Sequence, residues 1–418
     1  MLRSSLGFHT MTLSLSLLND EADKLLIDFS TYRENTRLIE MYKNERNEPI
    51  IYYHKSPIMP LKIDIYFKGK YRGIKWCIRA SENPSVFSDY IVEVTINPKI
   101  LAGIHDYLTA ATYSDMNIAI INFNYESKKI SSLLHTFTDY KIIRIDYCIN
   151  IYLDDFIPTC DPGQIMNLIK RSDIPSHYKE WMEYDNIAHR MKSRPESFYL
   201  CSKSANINYY SKYLQLLNIS QENIKKGYGP VSPEIIDASR SIIRFEVQCK
   251  YHKAYSLSKQ AEKSGNNSPN KYKSLLSPLT CIEIVSSYYE KIIGKGDWYT
   301  LPEAVQIIQS KNFNSQKEKR FIDALKHVSR CRSLAKAKAS YQDKELDAFK
   351  HTLKELSNFN INPVTIPKEW GIKHIPNLLR CYFNKMLEET YNPDLWGKDT
   401  CSSFGYSEYV KKYGRPPI

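Results

Sequence analysis

Three short runs in the middle of the chain alternate between polar and apolar residues, and this alternation constrains the fold more than any other feature. The runs span residues 143–151, 202–212 and 243–249. A β-strand has a side-chain period of two, so each run predicts a strand with one apolar face and one polar face. The predicted polar faces carry Arg144, Asp146, Cys148 and Asn150; Ser204, Asn206, Asn208, Tyr210 and Lys212; and Arg244, Glu246 and Gln248.

Two of these runs have an arginine and a carboxylate two residues apart, as Arg144 with Asp146 and as Arg244 with Glu246. A ladder of cross-strand salt bridges on a solvated sheet face would explain either pair alone. Two such pairs flanking a tyrosine and a lysine favour a catalytic site. Paired carboxylates suit Mg²⁺ or Mn²⁺, which prefer oxygen ligands and polarise phosphoryl oxygens. Glu93, polar within a strand-like run, is a third predicted metal ligand.

Tyr210 is the predicted nucleophile, because Tyr209 shares its strand face with Ile207 and belongs to the core. A phenol with a pKa near 10 is a weak nucleophile at neutral pH and needs a cation or a base to activate it. Lys212 lies two residues on, on the same face, where it would activate the phenol or bind a phosphate. Arg144 and Arg244 complete the predicted catalytic set.

Composition narrows the classes of partner. The chain has 418 residues and a formal net charge of +12, which favours a polyanion such as nucleic acid. It has 32 tyrosines, a residue type that stacks on unpaired bases. Its nine cysteines form no C-x-x-C pair, which predicts reduced thiols and a cytoplasmic location. No apolar run is long enough to span a membrane, and neither a signal peptide nor a Walker-type phosphate loop is predicted.

The distribution of strand-like and helical segments predicts two domains. We expect a mixed strand-and-helix domain over 1–258, a polar linker over 259–277 and a helical domain over 278–418. Within the first domain, residues 118–123 are predicted as a strand, and 98–109 and 177–192 as helices. Within the last, helices are expected over 301–310 and 316–357, the second broken near 330–333. The segment Thr300-Leu-Pro-Glu303 is predicted to form a capping box.

The helical domain contains a basic cluster. Residues 311–338 include nine lysines and arginines against two acidic residues. A short helix, a polar turn and a basic helix form a helix-turn-helix-like pattern, although a solvated helical face has the same composition. The predicted DNA-binding residues are Lys317, Lys319, Arg320, Lys326, Arg330, Arg332 and Lys336.

The order of these motifs resembles that of a known superfamily. Arg144-Ile145-Asp146 is followed by a Tyr-x-x-x-x-Ser segment at 199–204, then by Tyr210-Ser211-Lys212 and Arg244-Phe245-Glu246. This order is similar to that in the rolling-circle replication initiators of Gram-positive plasmids, the filamentous-phage II/X replication proteins and related relaxases of conjugative transposons. The match covers about residues 60–256. The chain departs from the pattern at Cys201, where these proteins often have glycine.

The resemblance implies an α+β fold, with a nicking domain built on a central antiparallel β-sheet and a separate, mostly α-helical region that recognises the origin. It also implies a tyrosine that attacks origin DNA, a divalent metal, and both duplex and single-stranded DNA as partners. Carried over by position, Tyr210 is the nucleophile, Asp146 and Glu246 are metal ligands, and Lys212 is the partner of the phosphate or the tyrosine. A host helicase and a second copy of the chain are further expected partners.

Two other functions agree with the same residues. A conjugative relaxase would use the same chemistry to begin transfer of a mobile element. A sequence-specific DNA-binding regulator would keep the fold and lose catalysis, a reading that the short segment between Ser204 and Tyr210 favours. Retention of Asp146, Tyr210, Lys212 and Glu246 together argues against it, because a protein that only binds DNA needs no such set.

Overall fold

The computed structural model describes residues 3–36, 61–67, 70–85, 88–104, 107–185, 190–192, 197–225, 229–263, 271–390 and 400–418. Its strands are β1 (Ser5–Leu17), β2 (Leu61–Phe67), β3 (Lys70–Ser85), β4 (Ser88–Ile96), β5 (Lys141–Tyr152), β6 (Lys179–Glu180), β7 (Glu183–Asp185), β8 (Arg190–Lys192), β9 (Ser197–Cys201), β10 (Ala205–Ser211), β11 (Ile242–Lys250), β12 (Trp298–Tyr299) and β13 (His374–Ile375). Its helices are α1 (Asn19–Thr36), α2 (Pro98–Leu101), α3 (Tyr113–Ile130), α4 (Pro162–Lys170), α5 (Lys212–Lys225), α6 (Pro233–Ala238), α7 (Tyr251–Lys263), α8 (Lys271–Leu275), α9 (Pro278–Ile292), α10 (Leu301–Ser310), α11 (Ser315–Cys331), α12 (Leu334–Ala339), α13 (Asp343–Asn358), α14 (Leu378–Thr390) and α15 (Thr400–Tyr413).

Nine of the described strands form one sheet, in the order β2-β3-β4-β1-β5-β11-β10-β9-β6. The pairs β1–β4, β2–β3, β3–β4, β6–β9 and β9–β10 are antiparallel. From residue 278 onward the described chain is mostly helical. The fold is therefore the predicted α+β arrangement. Of the helices in the described ranges, none has the length and apolar character that crossing a membrane requires.

The chain divides into two compact units. One unit comprises residues 6–148 and 248–281, and the other comprises residues 1–5, 149–247 and 282–418. The segment predicted as a polar linker, 259–277, includes the end of α7 and all of α8, while residues 264–270 lie outside the described part. The division of the chain at this segment stays a prediction.

In the unit of residues 6–148 and 248–281, α1 packs against α3 and against strands β3 and β4. Met11 and Leu13 alternate into its core from β1, and Trp76 of β3 meets the Phe29 ring of α1 edge-on, with centroids 5.8 Å apart. The start of β1 is fixed at Gly7, where an added Cβ would lie 2.1 Å from the Ala111 carbonyl oxygen. Only glycine allows this close approach, which sets the position of the residues that follow.

The prediction of a strand over 118–123 is wrong, because this segment lies inside helix α3. Thr112 and Asp115 form a capping box: the Asp115 amide donates to the Thr112 hydroxyl (3.2 Å), and the Thr112 amide donates to the Asp115 carboxylate (2.8 Å). Met116, Ala119 and Phe123 are buried at helical spacing. The cap and this spacing outweigh the strand preference of the isoleucines.

Two predicted helices also differ from the structure. Residues 179–185 and 190–192 form the short strands β6, β7 and β8 in place of a helix over 177–192. Pairing of β6 with the sheet-edge strand β9 determines this conformation, which the high charge of the segment concealed. The helix predicted over 98–109 ends at Leu101, and Gly103 follows with a positive φ of 87°.

The helix predicted over 301–310 is present, and the one predicted over 316–357 is broken at the predicted place and again between α12 and α13. The helix expected over 316–357 is broken, because Arg332 adopts a left-handed φ of 56° and Ser333 caps the new helix α12. Thr300 is the N-cap residue of α10, but its side chain makes no capping hydrogen bond. The predicted start of α10 is therefore correct, whereas the predicted side-chain capping is not.

The buried carboxylate of Asp297 contacts residues that are distant from it in the sequence. Asp297 accepts hydrogen bonds from His374 (3.0 Å), Asn360 (2.8 Å) and the Asn377 amide (2.8 Å), and it pairs with Arg380. Burial acts to raise the pKa of Asp297, but these hydrogen bonds and the Arg380 charge outweigh it, so the pKa is lowered.

Candidate active site

Strand alternation in β10 sends two adjacent tyrosines to opposite faces of the sheet. Tyr209 is buried, its ring stacks on Phe245 with centroids 4.4 Å apart, and its hydroxyl has no hydrogen-bond partner among the described residues. Burial raises the pKa of Tyr209 well above its usual value. This environment disfavours a phenolate, so Tyr209 is the core residue that the strand period predicts.

The Tyr210 hydroxyl lies among polar groups on the other face. It donates a hydrogen bond to Glu246 Oε2 (3.2 Å) and accepts from Gln215 Nε2 (3.4 Å). Arg244 Nη1 lies 3.5 Å from the same oxygen. A carboxylate is therefore placed to accept the phenol proton, and two N–H donors are placed to stabilise a phenolate.

Lys212 connects to Tyr210 through Gln215. It is the first residue of α5 and is buried, and its Nζ donates to Gln215 Oε1 (2.7 Å). Residues three apart on a helix lie on the same face, which brings Gln215 beside Lys212. Sequence analysis did not assign a role to Gln215. The helical spacing from Lys212 is the signal that identifies it, once α5 is known to begin there.

Arg244 is oriented by an amide on the neighbouring strand. Its Nε donates to Asn150 Oδ1 (2.5 Å), and both side chains are buried. Asn150 was predicted to lie on the polar face of its strand, but no role was assigned to it. The contact fixes the guanidinium while leaving its Nη1 directed toward Tyr210.

Asp146 is fully buried on β5 and is held by two side chains. Arg144 donates from Nε to Oδ1 (2.8 Å) and from Nη2 to Oδ2 (2.5 Å), and the Thr10 hydroxyl donates to Oδ2. A solvated salt-bridge ladder does not describe this arrangement, because the carboxylate has no solvent exposure.

The side chains of His9 and Asp146, which belong to the same unit, are potential metal ligands. Each offers one nitrogen or oxygen atom, and these atoms lie within 4.8 Å of each other. Two ligands of an ion bound at about 2.1 Å are at most about 4.2 Å apart, so small side-chain shifts would let both bind one ion. Glu246 stays a predicted ligand. Carboxylate oxygens suit Mg²⁺ or Mn²⁺, and an added imidazole favours Mn²⁺ of the two.

Sequence analysis assigned no role to His9. Buried positions in β1 fall at Leu6 and Phe8 and then at Met11 and Leu13. This change from even to odd numbers indicates an irregularity near residues 9 and 10. Simple alternation predicts opposite faces for His9 and its neighbour Thr10, whereas the structure directs both toward Asp146.

Glu93 is not brought to this group. In the β1–β4 ladder Glu93 faces Ser14, and the Thr12 and Thr95 hydroxyls lie 3.3 Å apart on the same face. Ser14 is four positions along β1 from Thr10, roughly 13 Å at the rise of a strand. Glu93 therefore lies on a polar face of the sheet, as predicted. Its position along the strand, however, is far from Asp146.

The predicted DNA-binding residues fall into two sets on α11 and α12. Lys317 and Arg320 both pair with Glu355 of α13, the first at 3.0 Å. The other five predicted residues are exposed: Lys319, Lys326, Arg330, Arg332 and Lys336. The opposite side of α11 is buried and includes Phe321, Leu325 and Val328.

A surface cavity of about 870 Å³ opens beside the end of β10, but Tyr210 is not among the residues that line it. Its lining includes Arg3, Ser211, Tyr213 and Arg240. Ser211 follows Tyr210 in the strand and therefore points to the opposite face of the sheet. Cavity volume alone would predict the active site in this cavity. The polar contacts of Tyr210 instead indicate the opposite face of the sheet.

Comparison with known proteins adds little to the description of the site. No family model matches the chain, and no curated protein matches it. A solved structure of a rolling circle replication initiator protein from Geobacillus stearothermophilus matches with a TM-score of 0.27 and 8% sequence identity, over 69% of this chain and 85% of that one. The match is to the kind of protein that the motif order resembles, but similarity this low supports no functional conclusion.

Proposed function

We propose that this chain nicks and rejoins origin DNA through Tyr210 to start rolling-circle replication of a plasmid or phage. The observation that supports this most is the hydrogen bond from the Tyr210 hydroxyl to Glu246 (3.2 Å). Glu246 would accept the phenol proton, and the resemblance also makes it a predicted metal ligand.

The proposed step is a transesterification at phosphorus. Tyr210 Oη forms a bond to the phosphorus, and its proton passes to Glu246. The bond from phosphorus to the 3′ oxygen breaks, and that oxygen leaves with a proton from water as a 3′-hydroxyl. The 5′ phosphate remains on the tyrosine, so the bond energy is kept, and attack by a 3′-hydroxyl on the phosphotyrosine reverses the step.

The surrounding residues have distinct proposed roles. Arg244 and the Gln215 amide stabilise negative charge on the phenol oxygen, and Lys212 positions Gln215 by its 2.7 Å hydrogen bond. Arg144 fixes the orientation of the Asp146 carboxylate. A Mg²⁺ or Mn²⁺ ion held by His9 and Asp146 would polarise a phosphoryl oxygen of the scissile group.

The exposed basic residues of α11 and α12 would bind duplex origin DNA, while the sheet acts on a single strand. The proposal includes a cytoplasmic location, and a host helicase and a second copy of the chain as further partners. A conjugative relaxase would carry out the same bond exchange. The position of the nick, in a replication or a conjugation origin, separates these two functions.

A regulator without catalysis is the alternative of another class. The observation that favours it is that Tyr210 is only 5% exposed. A phosphodiester reaches the phenol oxygen only after neighbouring side chains move. A metal titration separates this function from the enzyme: DNA binding without Mn²⁺-dependent cleavage of any cognate site would support the regulator.

The test of the enzyme is nicking of a supercoiled plasmid that carries the DNA flanking the chain's own gene. In Mn²⁺ the unaltered protein is expected to convert supercoiled plasmid to the open circle, and a chelator is expected to stop this. Tyr210→Phe is expected to abolish nicking, while the neighbouring Tyr209→Phe is expected to retain it. Nicking by Tyr210→Phe at the rate of the unaltered protein would refute the proposed mechanism.

A further inference from the structure

Helix α7 presents two tyrosine rings to solvent. The rings of Tyr251 and Tyr255 stack at an interplanar angle of 23° with centroids 6.1 Å apart, and the residues are 48% and 54% exposed. The helix is anchored on its other side by Ala254, which is fully buried. Packing of the helix therefore does not depend on covering these two rings, and their outer faces are available to a planar partner.

The same helix carries an excess of positive charge. Between residues 251 and 263 there are three lysines, at 253, 259 and 263, against one acidic residue, Glu262. Lys259 lies one further helical turn from Tyr255, and its Nζ is 5.8 Å from the centre of the Tyr255 ring. Aromatic faces and amino groups thus follow one another along one side of α7.

This combination fits a single strand of nucleic acid better than other partners. Unpaired bases offer flat faces that stack on tyrosine, and the linked phosphates are attracted to nearby lysines. A duplex keeps its base faces stacked inside, so it offers phosphates to the lysines but no face to the rings. An apolar protein partner is disfavoured by the charge.

We infer that the surface formed by Tyr251, Tyr255 and Lys259 binds single-stranded DNA by stacking a base on the tyrosine rings. The inference rests on the proposed function in one respect, namely that DNA is the nucleic acid concerned. Helix α7 follows directly after strand β11, five residues beyond Glu246 at Tyr251. The surface would hold the strand on which the nicking site acts.

The experiment measures binding of fluorescein-labelled oligo(dT) by fluorescence anisotropy at fixed salt, with a labelled duplex in parallel. The double variant Tyr251→Ala and Tyr255→Ala is expected to bind oligo(dT) roughly 10-fold more weakly or worse, with little change for the duplex. The double phenylalanine variant keeps both rings and is expected to bind as the unaltered chain does. Alanine favours a helix, so unchanged circular dichroism is expected for the alanine variant.

A matched control is available on another helix. Tyr125 of α3 is 61% exposed, and Lys129 Nζ lies 3.9 Å from its ring centre, but it has no stacked tyrosine partner among the described residues. Tyr125→Ala is expected to leave oligo(dT) binding unchanged. Unchanged binding by the double alanine variant, or equal weakening for oligo(dT) and duplex, would overturn the inference.

These results are separable from the fate of the proposed function. Tyr210→Phe is expected to bind oligo(dT) normally while failing to nick. If no nicking occurs even in the unaltered protein, the binding comparison still decides whether α7 holds a single strand. If nicking occurs and the double alanine variant binds normally, only the inference about α7 fails.

Discussion

Tyr210 and Glu246 are joined by a hydrogen bond of 3.2 Å between the phenol hydroxyl and Oε2, although 36 residues separate them in the chain. The sheet order places β10 beside β11, so the end of one strand meets the middle of the next. Both residues are nearly fully buried. The contact therefore forms in a place where a hydrogen bond to a charged group is strong, and it pairs a potential nucleophile with a proton acceptor.

Removal of the hydroxyl group is expected to change the free energy of unfolding differently at the two adjacent tyrosines of β10. Tyr210→Phe removes a partner of a buried carboxylate and should lower the free energy of unfolding by about 1–3 kcal/mol. Tyr209→Phe removes a buried hydroxyl that has no partner and should leave stability equal or slightly higher. Urea denaturation of both variants measures the difference. Equal losses would show that the Tyr210 contact is not formed in solution.

His9→Asn is expected to weaken Mn²⁺ binding by about tenfold or more, because it removes the nitrogen ligand beside Asp146. Isothermal titration of the protein with Mn²⁺ in the absence of DNA measures the affinity. His135→Asn, at an exposed residue in a short turn, is the control and should bind as the unaltered protein does. Identical affinities for both variants would exclude His9 as a ligand.

Stability at acid pH is expected to depend on Asp297. Its pKa is lowered in the folded chain, so the stability it contributes is fully present above the unfolded pKa, near 3.9. That contribution is lost as the pH falls through the lower folded value. Asp297→Asn should cost about 2 kcal/mol at pH 7, because Arg380 loses its partner, and should flatten the decline of stability below about pH 4. Melting temperatures from pH 2.5 to 7 test this, and a parallel decline in both proteins would contradict it.

The salt dependence of DNA binding is expected to reflect the exposed residues of α11. Contacts to about 5–8 phosphates predict a slope of log K against log[salt] of about −4 to −7 for the unaltered protein. Replacing Lys319, Lys326 and Arg330 with glutamine should make the slope less steep by about 2–3. Lys350→Gln, at an exposed lysine of α13 that pairs with Asp347 (3.1 Å), should leave it unchanged. An unaltered slope in the triple variant would show that α11 is not part of the DNA-binding surface.

The strands that carry the site were predictable because their alternation is strict. Runs such as 243–249 place every second residue in the core, and burial in the structure follows this pattern for Phe245 and Val247. The polar residues between them are buried as well, which a period of two does not reveal. Burial of Asp146 and Glu246 depends on what covers the second face of the sheet, and no local pattern encodes it.

The wrong predictions also have identifiable physical causes. In α3 the buried residues Met116, Ala119 and Phe123 are spaced as in a helix, and the intervening isoleucines obscured that period. His9 was missed because the buried positions of β1 change from even to odd numbers near this residue, which simple alternation does not anticipate. Strand β6 forms through pairing with β9, a contact that no local propensity specifies.

The most direct test of the central claim is to identify the residue that becomes linked to DNA. The protein is incubated with Mn²⁺ and an oligonucleotide from its own gene's flanking DNA, then digested and analysed by mass spectrometry. The predicted result is one peptide that carries a nucleotide 5′ phosphate on Tyr210, absent when a chelator is added. A nucleotide on any other residue, or cleaved DNA with no protein linkage, would contradict the account.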